Sequence, residues 1–184
     1  VYALIKREVP FILMADCGAD PKYAFEDLEN LARKARIDFD AEIEIYTAQE
    51  AAARFGPFDD HLCVLSPEQI IDNHTRRGVL LARICYHRSD PLRRSYGTLL
   101  IVKPNLHDAL DTDVLAYAGR NPAFPQQSTG DQFFDEAQWE SYRRLGEDVG
   151  RALTDAWLGR LPHWGQATPQ PSHDASLPRR REKI

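Results

Sequence analysis

Cys17 stands between Asp16 and Asp20, just after an apolar run and just before a helical stretch. A reactive thiolate or a phosphate loop could sit there, because helix N–H groups would lie close by. A cysteine phosphatase loop would carry an arginine to grip phosphate bidentately where this chain has Tyr23. A dinucleotide loop would need several glycines, and only Gly18 is present. Asp16 and Asp20 could hold a metal or act as acid and base. A phosphotransfer Asp-x-Asp pair is spaced more closely, so a turn whose Asp side chains bond nearby backbone N–H is the better reading.

Other stretches carry weaker signals. Serine hydrolases of α/β type place the nucleophile in Gly-x-Ser-x-Gly, and the chain has no such pattern. The nearest match, Gln127-Ser128-Thr129-Gly130, reads better as a helix start, with Thr129 and Gln132 forming a capping box. Asp59-Asp60-His61, Cys63 and Asp72-Asn73-His74 make a mixed cluster. Catalytic zinc uses closely spaced ligand pairs, which this cluster lacks, so histidines in a surface loop explain it better. Arg88, Arg93 and Arg94, and the tail from Arg179 to Lys183, could touch anionic head groups at about 1 kcal/mol per base. An ordinary solvated loop and tail is the better account of them. No catalytic, cofactor-binding or metal-binding residue is assigned on these grounds.

The elements that would position such residues follow from composition and pattern. The chain of 184 residues is long enough for one domain with a real core. Its 28 acids outweigh 23 bases, which gives no general reason to bind nucleic acid. Cys17, Cys63 and Cys85 form no paired spacing, so neither a disulfide framework nor a zinc site is expected, and a reducing compartment is. The longest apolar run, Val9 to Ala15, is far short of the roughly 20 residues that span a bilayer. No cationic leader precedes it, so no signal peptide is expected. The opening Val1-Tyr2-Ala3-Leu4-Ile5-Lys6-Arg7-Glu8 reads as a helix already under way without a cap, which suggests further chain upstream.

Val9 to Ala15 has the continuous apolar character of a strand buried on both faces. A helix from about Phe25 to Phe39 follows, with Leu28, Leu31, Ala32 and Ala35 on one face. Ala41 to Tyr46 alternates as a half-exposed strand. Strand, helix and strand in that order suggest a βαβ unit. Thr47 to Ala53 reads as a short helix ended by Gly56-Pro57. Val79 to Tyr86 and Tyr96 to Lys103 should pair as an antiparallel hairpin. A short helix from Thr112 to Ala118 precedes a Pro-rich loop. The longest helix is expected from Thr129 to Leu158, with Tyr142, Leu145, Val149, Ala152, Leu153 and Ala156 buried. Residues 161–184 are scattered with proline and end in arginines, the composition of a disordered tail.

Three stretches together resemble the final portion of large bacterial patatin-like phospholipases. They are Tyr2 to Pro21, Phe25 to Phe39, and Phe124-Pro125-Gln126-Gln127-Ser128-Thr129 onward through Tyr142-Arg143. The Phe-Pro-Gln-Gln-Ser-Thr segment is the most telling. The resemblance covers most of residues 1–158. It implies an α/β fold: a partial three-layer α/β/α patatin-like arrangement with a mixed sheet, lacking its N-terminal strands. It also implies lipid acyl ester hydrolysis by a Ser-Asp dyad. The serine of that family lies in Gly-x-Ser-x-Gly and the aspartate in Asp-Gly-Gly or Asp-Gly-Ala. Neither motif occurs in this chain, so no catalytic residue carries over and the dyad is expected upstream. The implied partners are the upstream part of the same protein and a lipid or membrane surface on its cytoplasmic side; separately, the Val9–Ala15 strand without its upstream neighbour would leave an edge at which a second copy could pair. The rival reading is a non-catalytic interaction or oligomerisation module.

Overall fold

The computed structural model describes residues 1–58, 61–72, 76–128, 130 and 133–166. A short helix, α1 (Tyr2–Lys6), leads into strand β1 (Phe11–Ala15). Helix α2 (Glu26–Phe39) crosses to strand β2 (Glu42–Ile45). Helix α3 (Ala48–Phe55) starts on the Thr47–Glu50 capping box, which satisfies free N–H groups at both ends of that turn. A two-residue strand, β3 (Cys63–Val64), and helix α4 (Pro67–Asp72) precede the long hairpin β4 (Gly78–Tyr86) and β5 (Ser95–Val102). Helices α5 (Thr112–Arg120), α6 (Glu136–Ala152) and α7 (Asp155–Leu158) close the described structure.

The sheet is mixed and runs β1-β5-β4-β2, with β3 added beside β4. The hairpin pairs antiparallel as its short link demands, with Leu81 opposite Leu100 and Arg83 opposite Thr98. β1 lies parallel to β5 and β2 antiparallel to β4. The two strands flanking α2 are therefore parallel to each other but sit at opposite sides of the hairpin. The expected βαβ unit is split: β5 and β4 fill the space between its strands. Order along the chain could not reveal this, because a later hairpin can insert into a gap left by an earlier crossover.

Alternation along β4 and β5 divides the core. Leu80, Ala82, Ile84, Leu99 and Ile101 face Ile5 of α1 with Leu28 and Ala35 of α2. Val79, Leu81 and Leu100 face Ala51 of α3, Val149 of α6, and Trp157 and Leu158 of α7. Helices thus cover both faces, as an α/β sheet with apolar strands requires. A third cluster joins α5 to α6 through Val114, Tyr117, Phe124 and Leu145.

Three expectations need correction. β1 is not buried on both of its faces. Among the described residues it pairs with β5 alone, and Leu13 is 50% exposed. Its apolar run arises because Ile12 and Met14 serve one face while Phe11 serves the other. The long helix begins at Glu136, capped by Asp135, whose Oδ1 accepts from Gln138 N–H at 2.7 Å. Thr129 and Gln132, the expected cap, lie outside the described residues. That helix also ends at Ala152 and does not continue to Leu158. Thr154 caps a new turn by accepting from Trp157 N–H, and this redirects Trp157 inward to donate from Nε1 to Leu62 O at 3.0 Å.

Packed structure continues into the stretch whose composition suggests a tail. Leu161 is buried. Thr98 Oγ1 donates to Pro162 O at 2.8 Å and lies 2.9 Å from His163 Nδ1. Trp164 meets Phe11 edge-on. Residues 167–184, including the Arg179–Lys183 run, lie outside the described residues.

Candidate functional site

Two parallel strands that end together bring their next residues together. The residue after β1 is Asp16 and the residue after β5 is Lys103. Asp16 N–H donates to Val102 O at 2.8 Å, which locks the two ends in register. In α/β sheets ligands gather beyond the carboxyl ends of parallel strands, so this end of the sheet is the first place to look.

Lys103 is only 1% exposed. A buried ammonium must be paired and hydrogen-bonded. Its Nζ donates to Asp16 Oδ2 at 3.0 Å and to Gly18 O at 3.0 Å, and lies 4.0 Å from Asp20 Oδ2. Asp16 Oδ1 accepts from Gly18 N–H at 3.2 Å. The Asp20 carboxylate accepts from Ala24 and Phe25 N–H, at 2.9 and 2.8 Å, which serves the start of α2. Both acids thus bond nearby backbone, as the turn reading expects. The sequence reading missed Lys103, the cation that joins them.

The Pro-rich loop closes over this node. Gln126 is buried; its Oε1 accepts from Asp20 N–H at 3.1 Å and its Nε2 donates to Pro104 O at 3.0 Å. Tyr23 OH donates to the same Pro104 carbonyl at 2.9 Å. Burial pushes the Tyr23 phenol above its ordinary range, against a smaller opposing pull from Gln126. Gln127 N–H donates to Tyr142 OH at 3.3 Å and so ties the loop to α6. Residues 16–25, 103–104, 126–127 and 142 therefore form one constellation. Cys17 sits on its outer surface as an exposed free thiol. Two of the three Lys103 N–H donors go to Asp16 and Gly18, so the lysine holds this loop in shape.

A second polar assembly lies beside α6. An open cleft of about 550 Å³ is lined by His61, Arg77, Arg144, Glu147, Asp148 and Arg151, among others. Asp148 is its centre. The Arg77 guanidinium grips both carboxylate oxygens, and buried His107 places Nε2 2.9 Å from Asp148 Oδ2. Arg77 Nη1 also donates to His61 O at 2.6 Å. Burial alone would raise the Asp148 carboxyl. The hydrogen bonds and charge of Arg77 and His107 outweigh it and hold the group below the ordinary carboxylate range. A histidine beside an aspartate can be the base and orienter of a hydrolytic triad. Here the aspartate is already neutralised by a bidentate arginine, so the set works as an ion-pair network linking the start of β4 to α6.

The remaining candidates scatter. His61 is exposed and contributes only its carbonyl to the network, and Cys63 is buried in the core. Asp59, Asp60, Asn73 and His74 lie outside the described residues, and the Asp72 side chain is not described. No group of three His, Cys, Asp or Glu able to hold a metal occurs among the described residues. Ser128 Oγ accepts from Gly130 N–H at 3.2 Å and shapes a turn. Arg88 lies near Asp40 and Glu42, and Arg94 donates to Arg88 O, so the hairpin arginines are tied locally. Among the described residues no helix is long and apolar enough to cross a membrane.

Comparison with protein-family models, with curated proteins and with solved structures gives no match for this chain.

Proposed function

We propose that this chain is the non-catalytic part of a patatin-like lipid acyl hydrolase, with the nucleophilic serine and its aspartate contributed by residues outside it. In the complete enzyme the serine would attack the ester carbonyl, the aspartate would take its proton, and an oxyanion hole would stabilise the intermediate. The substrate class is an acyl ester of a lipid, met at a membrane surface on the cytoplasmic side. The observation that carries the reading is a convergence in space. Two of the segments that bear the resemblance are remote in sequence, yet Asp16 and Asp20 of the first gather about Lys103 and Gln126 of the third bonds Asp20 N–H and the adjoining Pro104 carbonyl. They meet at the carboxyl end of two parallel strands, where a hydrolase of this class would need a shaped wall.

The test is labelling of the native protein in its source cells with a fluorophosphonate probe, followed by peptide mapping. Label on a serine upstream of Val1, in a polypeptide that also yields these peptides, is the expected outcome. A native polypeptide that begins near Val1 and takes no label overturns the reading.

A second reading, an interaction or oligomerisation module, is favoured by one specific feature. Among the described residues β1 pairs on one side only and carries a half-exposed leucine, and an edge of that kind is a template for pairing with another strand.

A further inference from the structure

We propose that the cleft beside α6 binds a phosphate group, held by the guanidinium groups of Arg160 and Arg151 and by the Thr154 hydroxyl. The inference goes beyond the hydrolase reading and does not rest on it.

The cleft lies at the same end of the sheet as Lys103. Arg77 immediately precedes β4, and β4 starts where β5 ends, with Leu80 opposite Ile101. Ligands of α/β sheets gather at this end. The open space of about 550 Å³ is faced by Arg77, Arg144, Arg151 and Arg160, against the carboxylates of Asp111, Glu147 and Asp148. Each of the three acids is already held. Asp148 takes Arg77 and His107, Asp111 takes Arg144, and Glu147 takes Arg144 and Arg151. Arg143, outside the cleft, also reaches Glu147 and has its own acid in Glu140. Four guanidinium groups against three carboxylates leave one positive charge over among the described lining residues.

That charge belongs to Arg160. Among the described residues its partners are carbonyls and not carboxylates: Nη2 donates to Phe55 O, Gly56 O and Pro57 O at 3.2, 2.9 and 2.7 Å. The Phe58 ring covers the guanidinium at 4.4 Å. A long cationic side chain ordinarily loses rotamer freedom when it binds; this one is fixed beforehand. A guanidinium has five N–H donors, so the donors on Nε and Nη1 remain for a ligand. Arg151 binds Glu147 through Nη2 alone and is otherwise in solvent. Thr154 Oγ1 accepts from Trp157 N–H at 3.2 Å, which leaves its own O–H to donate. Three residues thus offer donors only, beside a surplus positive charge. A carboxylate brings two oxygens to such a set, whereas a phosphate group brings at least three and makes charge-assisted bonds to each arginine. Exposed Asp155 lies between Thr154 and Ala156 but does not line the cleft. Asp59 and Asp60 lie outside the described residues, so the test addresses them directly.

The test is a titration of the whole 184-residue chain with inorganic phosphate, at constant ionic strength kept with chloride and read by NMR. Saturable shifts are expected at Trp157 Nε1–H and at the Thr154 and Arg160 amides. Arg151→Met should weaken binding severalfold and leave the fold unchanged, because that side chain is 74% exposed. Arg160→Lys keeps the charge but loses the carbonyl anchors, and should weaken binding about tenfold, the scale of one hydrogen bond to a charged group. No saturable shift, the same shifts with chloride alone, or binding indifferent to both substitutions overturns the proposal. So does binding that appears only when Asp59→Asn and Asp60→Asn are introduced together, since those acids would then be the partners of Arg160. Glycerol phosphate and vesicles of phosphatidylcholine with phosphatidic acid separate the sources of the group. Binding of glycerol phosphate without the vesicles assigns a soluble phosphate ester, and vesicle binding lost in Arg160→Lys assigns a lipid headgroup; either supports the phosphate site. Fluorophosphonate labelling is indifferent to all of these outcomes, so failure here is distinguishable from failure of the hydrolase reading.

Discussion

At the level of single residues, Lys103 and Asp16 form a pair almost without solvent. Removing one member leaves the other charge buried and uncompensated, whereas removing both can be nearly neutral. Lys103→Met should cost about 3–5 kcal/mol in urea unfolding. Lys103→Met combined with Asp16→Leu should cost clearly less than the sum of the single changes. Additive losses would mean the two side chains do not depend on each other. Asp148 gives a prediction in pH. Its carboxyl is held below the ordinary value by Arg77 and His107 despite burial. A group depressed in the folded state adds stability above its unfolded pKa, about 3.9 for aspartate, and loses it as pH falls toward the folded value. The thermal midpoint of the native chain should therefore exceed that of Asp148→Asn most at pH 6, and the gap should shrink below about pH 4. A constant gap between pH 6 and pH 3 would show that the ionised form is not what matters. Neither residue was legible as a site in the sequence. Lys103 ends an apolar strand as many surface lysines do, and Asp148 lies on a strongly charged helix.

At the level of elements, local chemistry was read well where the signals are local. The short helix after Thr47, the helix to Phe39 and the β4–β5 hairpin were legible from apolar period and a short link, whereas that reading missed the Thr47–Glu50 capping box that starts α3. Helix α6 shows where such reading slips. The expected cap is Thr129, but the residue that caps α6 is Asp135, whose side chain accepts from Gln138 N–H. Asp135→Ala should destabilise by about 1 kcal/mol, as cap removal does, read from the urea midpoint. No change would mean that packing alone sets the start of α6. Gly78 answers to a neighbour instead. A Cβ there would come 2.2 Å from Leu65 Cδ1, in the core beside β3. Gly78→Ala should cost about 1–3 kcal/mol, the range for overpacking, and clearly less when measured in a Leu65→Ala background.

At the level of the whole molecule, stability is set unevenly. β4 and β5 lie at the centre of the sheet with Leu80, Leu81, Ala82, Leu99 and Leu100 wholly buried between helices. Their amides should exchange with solvent slowest, because opening them needs the two faces of the core to part. Hydrogen exchange read by NMR checks this, and amides of β4 and β5 that exchange as fast as those of the helix ends would overturn it.

The sequence by itself determined the class of fold. Apolar runs and helical periods depend on near neighbours along the chain, and they marked the longer strands and helices, though not β3, α4 or α7. It also showed that the motifs of serine, cysteine and zinc chemistry are missing. Only the tertiary structure decided what depends on distance across the chain. It placed the hairpin between β1 and β2, left β1 on an edge, joined Asp16 to Lys103, and set His107 and Arg77 on Asp148. Each of these is a meeting of residues far apart in sequence, and no local pattern records which distant partner a charge or a strand will find.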